Sequence, residues 1–279
     1  MTSREVNAAI RESLGLPAKP EPVSTVPQEG HVCDFPIWSY SKHRAQVTRF
    51  RIDYEDGSFF FLAAPEGMPS PTFPGFLDCI LFYGQKDLFV KEHTSMSIYQ
   101  IFQMLRIDAG NGGNYEIFRK DMKRAFAMYM ETDRFRNPET GKRSHVEYFR
   151  VLRRMKLAKS RREVSTFYFD ELFLASLRSG YLKRLNFDYC LWLDREHKAL
   201  ARFIYGHLLK RLGEKDVYTR DFDGFLRDIG LGHLEALEPK RRNENLKRTV
   251  FPALDTLKGE VLRCYEMDDR GNIFFIPKD

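Results

Sequence analysis

The chain has 279 residues, of which 43% are hydrophobic and 30% are charged. These values are typical of globular proteins and exclude a wholly disordered, collagenous or membrane-embedded chain. The length favours two domains over one large core. The longest unbroken apolar stretch, residues 59–65, is far shorter than the roughly 20 residues that span a bilayer, and the first residues do not resemble a signal peptide. The four cysteines lie far apart in the chain, so we expect a protein of the reducing cytoplasm.

The formal net charge of +6 is modest, but the basic residues are clustered. Residues 150–162 read RVLRRMKLAKSRR without an acidic residue, and residues 239–248 read PKRRNENLKR with Glu244 as the one acid. Two such clusters are typical of surfaces that neutralise the phosphates of a polyanion. A solvated surface without a partner is the alternative interpretation of each cluster taken alone.

The first part of the chain predicts a tail followed by a hairpin and helices. Residues 1–33 are rich in proline and small polar residues, which indicates a disordered or extended tail. Residues 47–64 contain two β-rich runs around Asp56-Gly57, a dipeptide that favours a tight hairpin turn. Residues 72–84 and 97–106 then predict helices that pack against this hairpin.

A second helix-and-hairpin pattern follows. Asn114 is a plausible N-cap for a helix that runs towards Glu131, with Lys120 and Arg124 on its outward face. Two β-rich runs, 145–157 and 163–169, are joined by the basic turn 156–162. Helices followed by a basic hairpin are the outline of a winged helix.

The outline repeats in the last hundred residues. Asp194 can cap a helix that ends at Leu212, Thr219–Ile229 predicts a short second helix, and a third helix is expected from Pro239 to Lys258. Strands at 260–267 and 272–277 close the chain. The prediction is therefore an α+β protein with a flexible N-terminal tail and two tandem winged-helix domains, at residues 34–180 and 181–279.

The third helix of the second domain carries the chemistry of DNA recognition. Its predicted buried stripe is Leu246, Val250, Ala253, Leu254 and Leu257, which places Arg241, Asn245 and Arg248 on the opposite face. Arginine can bond a guanine edge and asparagine an adenine edge, so these residues are candidate base readers. The candidate phosphate contacts are Lys240, Arg242 and Lys247 on this helix and Lys120, Arg124, Lys156, Lys159, Arg161 and Arg162 in the first domain. Pro252 predicts a bend or a shorter helix.

Three segments resemble plasmid replication initiator proteins of the replication initiator protein A family. They are FPIWSYSK at 35–42, LARFIYGHLLKR at 200–211 and LKRTVFPALDTLK at 246–258, the last with the internal Pro-Ala of that family's recognition helix. The resemblance implies tandem winged helices that bind repeated origin sites in double-stranded DNA. It implies base reading by the second domain, backbone contacts or homodimerisation by the first, and recruitment of host factors such as a helicase loader and the sliding clamp.

Other functions stay open at the level of sequence. A transcriptional regulator would use the same two domains. A metal-dependent nuclease is suggested by Glu196-His197-Lys198 with Asp188 or Asp194 upstream, but capping of a helix is the favoured interpretation of these residues. Histidines and cysteines show no metal-ligand spacing, and no phosphate-binding glycine motif is present. We therefore expect no catalytic residue, metal or cofactor.

One further segment resembles a partner motif. Gln85-Lys86-Asp87-Leu88-Phe89 is similar to the peptide by which bacterial proteins bind the sliding clamp, although Lys86 replaces the usual hydrophobic residue. Packing within the first domain is the favoured interpretation of this segment.

Overall fold

The computed structural model describes residues 25–29, 37–38, 48–54, 57–88, 90–133, 146–160, 162–178, 182–212 and 217–278. Helices and small antiparallel sheets are mixed along the chain, which confirms the α+β class. No helix in the described part of the chain combines the length and apolar character needed to cross a bilayer.

The first half of the chain is organised around helix α1 and two small sheets. Its elements in order are β1 (Thr25–Glu29), β2 (Arg49–Asp53), β3 (Phe59–Ala63), α1 (Phe73–Leu88), β4 (His93–Ser97), α2 (Ile98–Leu105), α3 (Gly112–Ala127), β5 (Tyr129–Thr132), β6 (Glu147–Phe149), β7 (Leu152–Lys156), β8 (Val164–Phe169) and α4 (Glu171–Arg178). The predicted hairpin is confirmed, since β2 and β3 pair antiparallel and Gly57 has the positive φ of 76° that glycine tolerates best.

The second half has one three-stranded sheet and a longer run of helices. Its elements are β9 (Leu182–Asn186), α5 (Phe187–Arg195), α6 (Ala199–Leu212), β10 (Tyr218–Asp221), α7 (Phe222–Asp228), a 3-10 turn (Gly232–Leu234), α8 (Pro239–Asn245), a π-helical turn (Leu246–Val250), α9 (Phe251–Thr256), β11 (Leu262–Met267) and β12 (Asn272–Pro277). We call the continuous helical segment Pro239–Thr256 the reading helix.

The same order of elements occurs twice. Helix, strand, helix, helix, strand, strand describes α1, β4, α2, α3, β7 and β8, which we call the first unit. It also describes α6, β10, α7, the reading helix, β11 and β12, which we call the second unit. In both units the strand that follows the first helix pairs antiparallel with the last strand, so the sheet orders are β4-β8-β7 and β10-β12-β11.

The first unit carries an added sheet with the strand order β2-β3-β5-β6. Its strands β5 and β6 lie between α3 and β7 in the chain. The single strand predicted over 145–157 is wrong, because this run is divided into β6 and β7, which belong to different sheets. Val151 and Leu152 are both fully buried, and two consecutive buried side chains break the alternation of a strand with one exposed face.

The predicted N-terminal tail contains a paired strand. Residues 25–29 pair antiparallel with 182–186, from Thr25 opposite Asn186 to Glu29 opposite Leu182. These five residues are therefore extended, as the sequence predicts, but they are hydrogen-bonded to the second half of the chain rather than free. The rest of the predicted tail lies outside the described residues.

Three predicted helix starts are wrong. Thr219 belongs to strand β10, so the short second helix begins at Phe222, after its N-cap Asp221. Asn111, not Asn114, caps α3, and its Oδ1 accepts a hydrogen bond of 2.9 Å from the Gly113 N–H. Asp194 does not cap the helix that ends at Leu212, because it lies in α5, whose N-cap is Asn186, and α6 begins only at Ala199. His197, with a φ of 54°, lies in the turn that separates the two helices.

The two halves share buried contacts. The rings of Phe82 in α1 and Phe187 in α5 stack with centroids 4.1 Å apart. Arg202 of α6 is fully buried and forms an ion pair with Asp78 of α1. One hydrophobic cluster extends through both halves, so the domain boundary between residues 180 and 181 stays a prediction.

Candidate nucleic-acid interface

The reading helix is anchored by an apolar stripe. The predicted stripe is confirmed, since Leu246, Val250, Ala253, Leu254 and Leu257 are all 7% exposed or less. The helix does not stop at Pro252, because the backbone widens into a π-helical turn in which the Phe251 N–H donates to the Leu246 carbonyl. The extra residue in this turn relieves the clash between the proline ring and the carbonyl four residues earlier.

The polar side of the reading helix is mostly open to solvent. Lys240, Arg241, Lys247 and Arg248 are exposed, and Asn245 is half-buried. Arg242 differs from them because its guanidinium forms an ion pair with Asp223 of α7. That pair neutralises Arg242 and competes with the phosphate contact expected of it.

Hydrogen bonds along the reading helix orient the candidate base readers. Arg248 Nη2 donates to Asn245 Oδ1 at 3.0 Å, and Asn245 Nδ2 donates to the Arg241 carbonyl at 2.8 Å. Arg248 keeps its other guanidinium donors for a partner, and the second hydrogen of the Asn245 amide is also available. The structure thus groups these residues on one face, and their roles in DNA binding stay predictions.

The basic residues of the first unit have a different environment. Lys120 is exposed on α3, but Arg124 donates through Nε to the Glu66 carbonyl at 3.0 Å. Lys123 pairs with the Glu66 carboxylate at 3.2 Å. Lys123 and Arg124 are therefore bound to the loop before α1 rather than presented freely, whereas Lys120 is exposed.

The hairpin loop between β7 and β8 is fastened to α3 by an arginine that the sequence analysis missed. Arg119 Nη2 donates to the carbonyls of Ala158 and Lys159 at 2.8 and 3.2 Å. Lys156, Lys159 and Arg162 are exposed on this hairpin, whereas Arg161 lies outside the described residues. The position of Arg119 beside Lys120 in a basic helix carries no signal for such a long-range contact.

The loop between β11 and β12 is acidic in character. Asp268 Oδ1 accepts hydrogen bonds from the N–H groups of Arg270 and Asn272 at 3.0 and 2.7 Å. Side-chain and backbone hydrogen bonds from Asn272 lower the pKa of Asp268 below its ordinary value. This loop therefore presents a firmly ionised carboxylate, in contrast to the basic hairpin of the first unit.

Asp78, Arg202 and Asp194 form a buried charge cluster where α1, α5 and α6 meet. Burial raises the pKa of Asp194 to about 8, with Arg202 opposing and Asp78 adding to the shift. Within the described residues, neither carboxylate oxygen of Asp194 accepts a hydrogen bond. This position explains why Asp194 does not serve as a helix cap.

The suggested nuclease triplet lies beside this cluster but not in it. Glu196, His197 and Lys198 are exposed in the turn between α5 and α6. Among the residues that the structure describes, no group of three histidine, cysteine, aspartate or glutamate side chains is arranged to hold a metal ion.

A cleft of about 680 Å³ borders the reading helix. Asn245, Arg248, Thr249 and Pro252 line one side, and the residues around Lys198 at the start of α6 line another. Two of the three candidate base readers therefore face this cleft, whereas Arg241 does not line it.

Comparison with known proteins gives a likeness of fold. No protein-family model and no curated protein matches the chain. A crystal structure of selenomethionine derivatives of domains 2 and 3 of RctB superposes with a TM-score of 0.53 and 11% sequence identity, covering 89% of this chain and 98% of that one. A second crystal structure of RctB domains 2–3 gives a TM-score of 0.47 and 12% identity, covering 83% and 91% of the two chains. At 11% identity the first likeness shows the fold alone.

Proposed function

We propose that the chain is a sequence-specific double-stranded DNA-binding protein that initiates plasmid replication in the cytoplasm. It binds repeated origin sites through two winged-helix domains, without catalysis of its own, and recruits host factors. The observation that carries the proposal is the reading helix, where a buried stripe fixes one face and leaves Lys240, Arg241, Asn245, Lys247 and Arg248 on the other. Arginine and asparagine on one exposed helical face have the donors and acceptors that base edges require.

The repeated order of elements supports the winged-helix assignment. In each unit three helices precede a two-stranded hairpin whose last strand returns to pair with the strand after the first helix. The third helix is then the one available for the major groove, and the hairpin is the wing beside it. Two such units in one chain can contact adjacent parts of a duplex.

The role of initiator rests on two likenesses. The fold is shared with domains 2 and 3 of RctB, which is a replication initiator. The segments 35–42, 200–211 and 246–258 resemble plasmid initiators, and the plasmid setting, the homodimer and the helicase-loader and clamp partners follow from that resemblance alone. For the clamp, Gln85–Leu88 lies in the last turn of α1 and Leu88 is only 2% exposed, so clamp binding would require this turn to unwind.

Selection of bound sequences from a random duplex library at physiological salt tests DNA recognition. We expect a consensus longer than one helical turn and an affinity for it about 10³-fold or more above that for scrambled DNA. Arg248→Ala should relax the sequence preference, whereas Lys247→Ala should weaken binding to all sequences alike. If both variants lose affinity equally on every DNA, the assignment of the reading face is wrong.

A plasmid maintenance assay separates an initiator from a transcriptional regulator. A plasmid that carries the selected repeats but lacks another active origin should be maintained only when the protein is supplied. Binding without maintenance would favour the regulator.

Incubation with supercoiled plasmid and magnesium or manganese tests the nuclease alternative, and cleavage that Glu196→Ala abolishes would overturn the proposal of a non-catalytic protein.

A further inference from the structure

The cleft beside the reading helix is formed by several segments of the chain. Its lining comes from the reading helix, the start of α6, the 3-10 turn before the reading helix, and Phe50 of strand β2. It therefore brings together segments that are distant in sequence, and its volume of about 680 Å³ lies within the usual range for small-molecule sites.

The charged residues that line the cleft are basic. Lys198 and Arg248 line the cleft, and no aspartate or glutamate is among its lining residues. Neither cation has a carboxylate within ion-pair distance in the part of the chain that the structure describes. His197 and His233 add imidazole groups to the same lining. The first turn of α6 also borders the cleft, and the N–H groups of a helix start favour an anion.

The rest of the lining is largely apolar. Phe50, Leu200, Leu231 and Pro252 contribute hydrocarbon surface to the cleft. A bare inorganic anion would leave this surface in contact with water, whereas an organic anion would cover it. The lining thus matches a ligand with one anionic group and an apolar body.

We propose that this cleft binds a small amphipathic organic anion. Its phosphate, sulfonate or carboxylate group contacts Arg248 and Lys198, and its apolar body packs against Phe50 and Leu200. A consequence for regulation rests on the proposed function. Arg248 and Asn245 are candidate base readers, so an anion bound to the cleft prevents them from contacting DNA. Ligand and DNA then compete for the same side chains.

Binding to the full chain without DNA is the first test, with anilinonaphthalene sulfonate as the probe. We expect one saturable fluorescent site per chain, and displacement by adenosine monophosphate or octanoate shows whether a nucleotide or an aliphatic anion fits better. Inorganic phosphate should displace the probe at least tenfold less effectively than the better of these two. The absence of a saturable site, or equal displacement by phosphate, would overturn the proposal.

Matched variants locate the site. Arg248→Ala and Lys198→Glu should weaken probe binding at least tenfold, because both remove a cation from the cleft. Arg241→Ala and Lys247→Glu make the same kinds of change on the reading helix outside the cleft lining and should leave probe binding unchanged. Equal weakening by both sets would show a general attraction to a basic surface, and no effect of the first set would place the probe elsewhere; either result contradicts the proposal.

A final measurement separates the cleft from the DNA-binding proposal. With the selected duplex, an anion at about ten times its dissociation constant should raise the apparent dissociation constant for DNA about elevenfold. Unchanged DNA affinity in the presence of bound anion would overturn the regulatory part. Tight DNA binding without any probe binding would overturn the cleft site and leave the proposed function intact. Site-specific probe binding without DNA binding would instead support the anion site in the cleft and contradict the proposed function.

Discussion

The two units share one order of elements but use their third helices differently. In the first unit, Arg124 and Lys123 of α3 bind Glu66, and Asp121 is buried, where it accepts a hydrogen bond of 2.9 Å from the Ser70 N–H. In the second unit, the reading helix leaves four cations exposed and commits one, Arg242, to an ion pair. The same scaffold thus supports a helix used for internal contacts and a helix available to a ligand.

The hairpins of the two units show the opposite distribution of charge, since the exposed cations lie on the hairpin of the first unit. The hairpin of the first unit exposes Lys156, Lys159 and Arg162, whereas the loop between β11 and β12 carries the ionised Asp268. If both units meet one duplex, the first contacts phosphates through its hairpin and the second reads bases through its helix. The comparison predicts a division of labour between the units, and the following changes test it.

The largest effect is expected at the junction of the units. Arg202→Met should lower the free energy of unfolding by about 3 to 5 kcal/mol, because it leaves the carboxylate of Asp78 buried without its counter-ion. Urea unfolding at neutral pH measures this loss. Arg153→Met is the control, since its pairs with Glu92 and Glu171 lie at the surface, and it should change stability little. Equal stability of Arg202→Met and the wild type would show that this ion pair does not hold the units together.

The second effect is a pH dependence at the same junction. The pKa of Asp194 is raised to about 8, against about 3.9 in an unfolded chain, so between these values the native state holds a proton that the unfolded state has released. Stability should therefore fall as pH rises from about 4 to about 8, by up to about 1.4 kcal/mol per pH unit from this group. Asp194→Asn should remove that slope in urea unfolding, and parallel profiles for variant and wild type would mean that Asp194 is charged in the native state.

A smaller effect on stability is expected from substitutions at the N-caps of the two third helices. Asn111→Ala should cost about 1 kcal/mol, because the side chain accepts a hydrogen bond from the Gly113 N–H at the start of α3. Glu238→Ala at the start of the reading helix should cost almost nothing, because Glu238 makes no side-chain capping hydrogen bond and Pro239 supplies the first helical position. Thermal unfolding of the two variants checks this difference, and similar losses would contradict it.

The smallest effect concerns the salt dependence of DNA binding. Lys247→Ala should reduce the slope of log affinity against log salt by about 0.9, as expected for one lost phosphate contact. Lys123→Ala should leave the slope unchanged, because Glu66 already neutralises Lys123. Titrations of the selected duplex at several salt concentrations measure both slopes. A larger change for Lys123 would assign the phosphate contacts to the first unit's helix instead.

The sequence alone was sufficient for the features that depend on local patterns. The hairpin around Gly57, the buried stripe of the reading helix and the closing strands β11 and β12 agree with the predictions. In each case the signal is a turn dipeptide or a periodicity of apolar residues within about twenty positions, and burial of one face of an element follows from that periodicity. The candidate readers could be grouped on one face for the same reason.

The tertiary structure alone decided what depends on partners distant in the chain. Arg124 contacts Glu66 and Arg119 contacts Ala158, at separations of 58 and 39 residues, and the ion pair of Arg202 with Asp78 spans 124. The division of 145–157 between two sheets, the burial of Asp194 and the cleft beside Arg248 arise in the same way. Local periodicity determines which face of an element is buried, but the identity of the group opposite a polar side chain is set only when the chain has folded. For a charged residue, that partner determines whether it holds the fold together or remains available to bind a ligand.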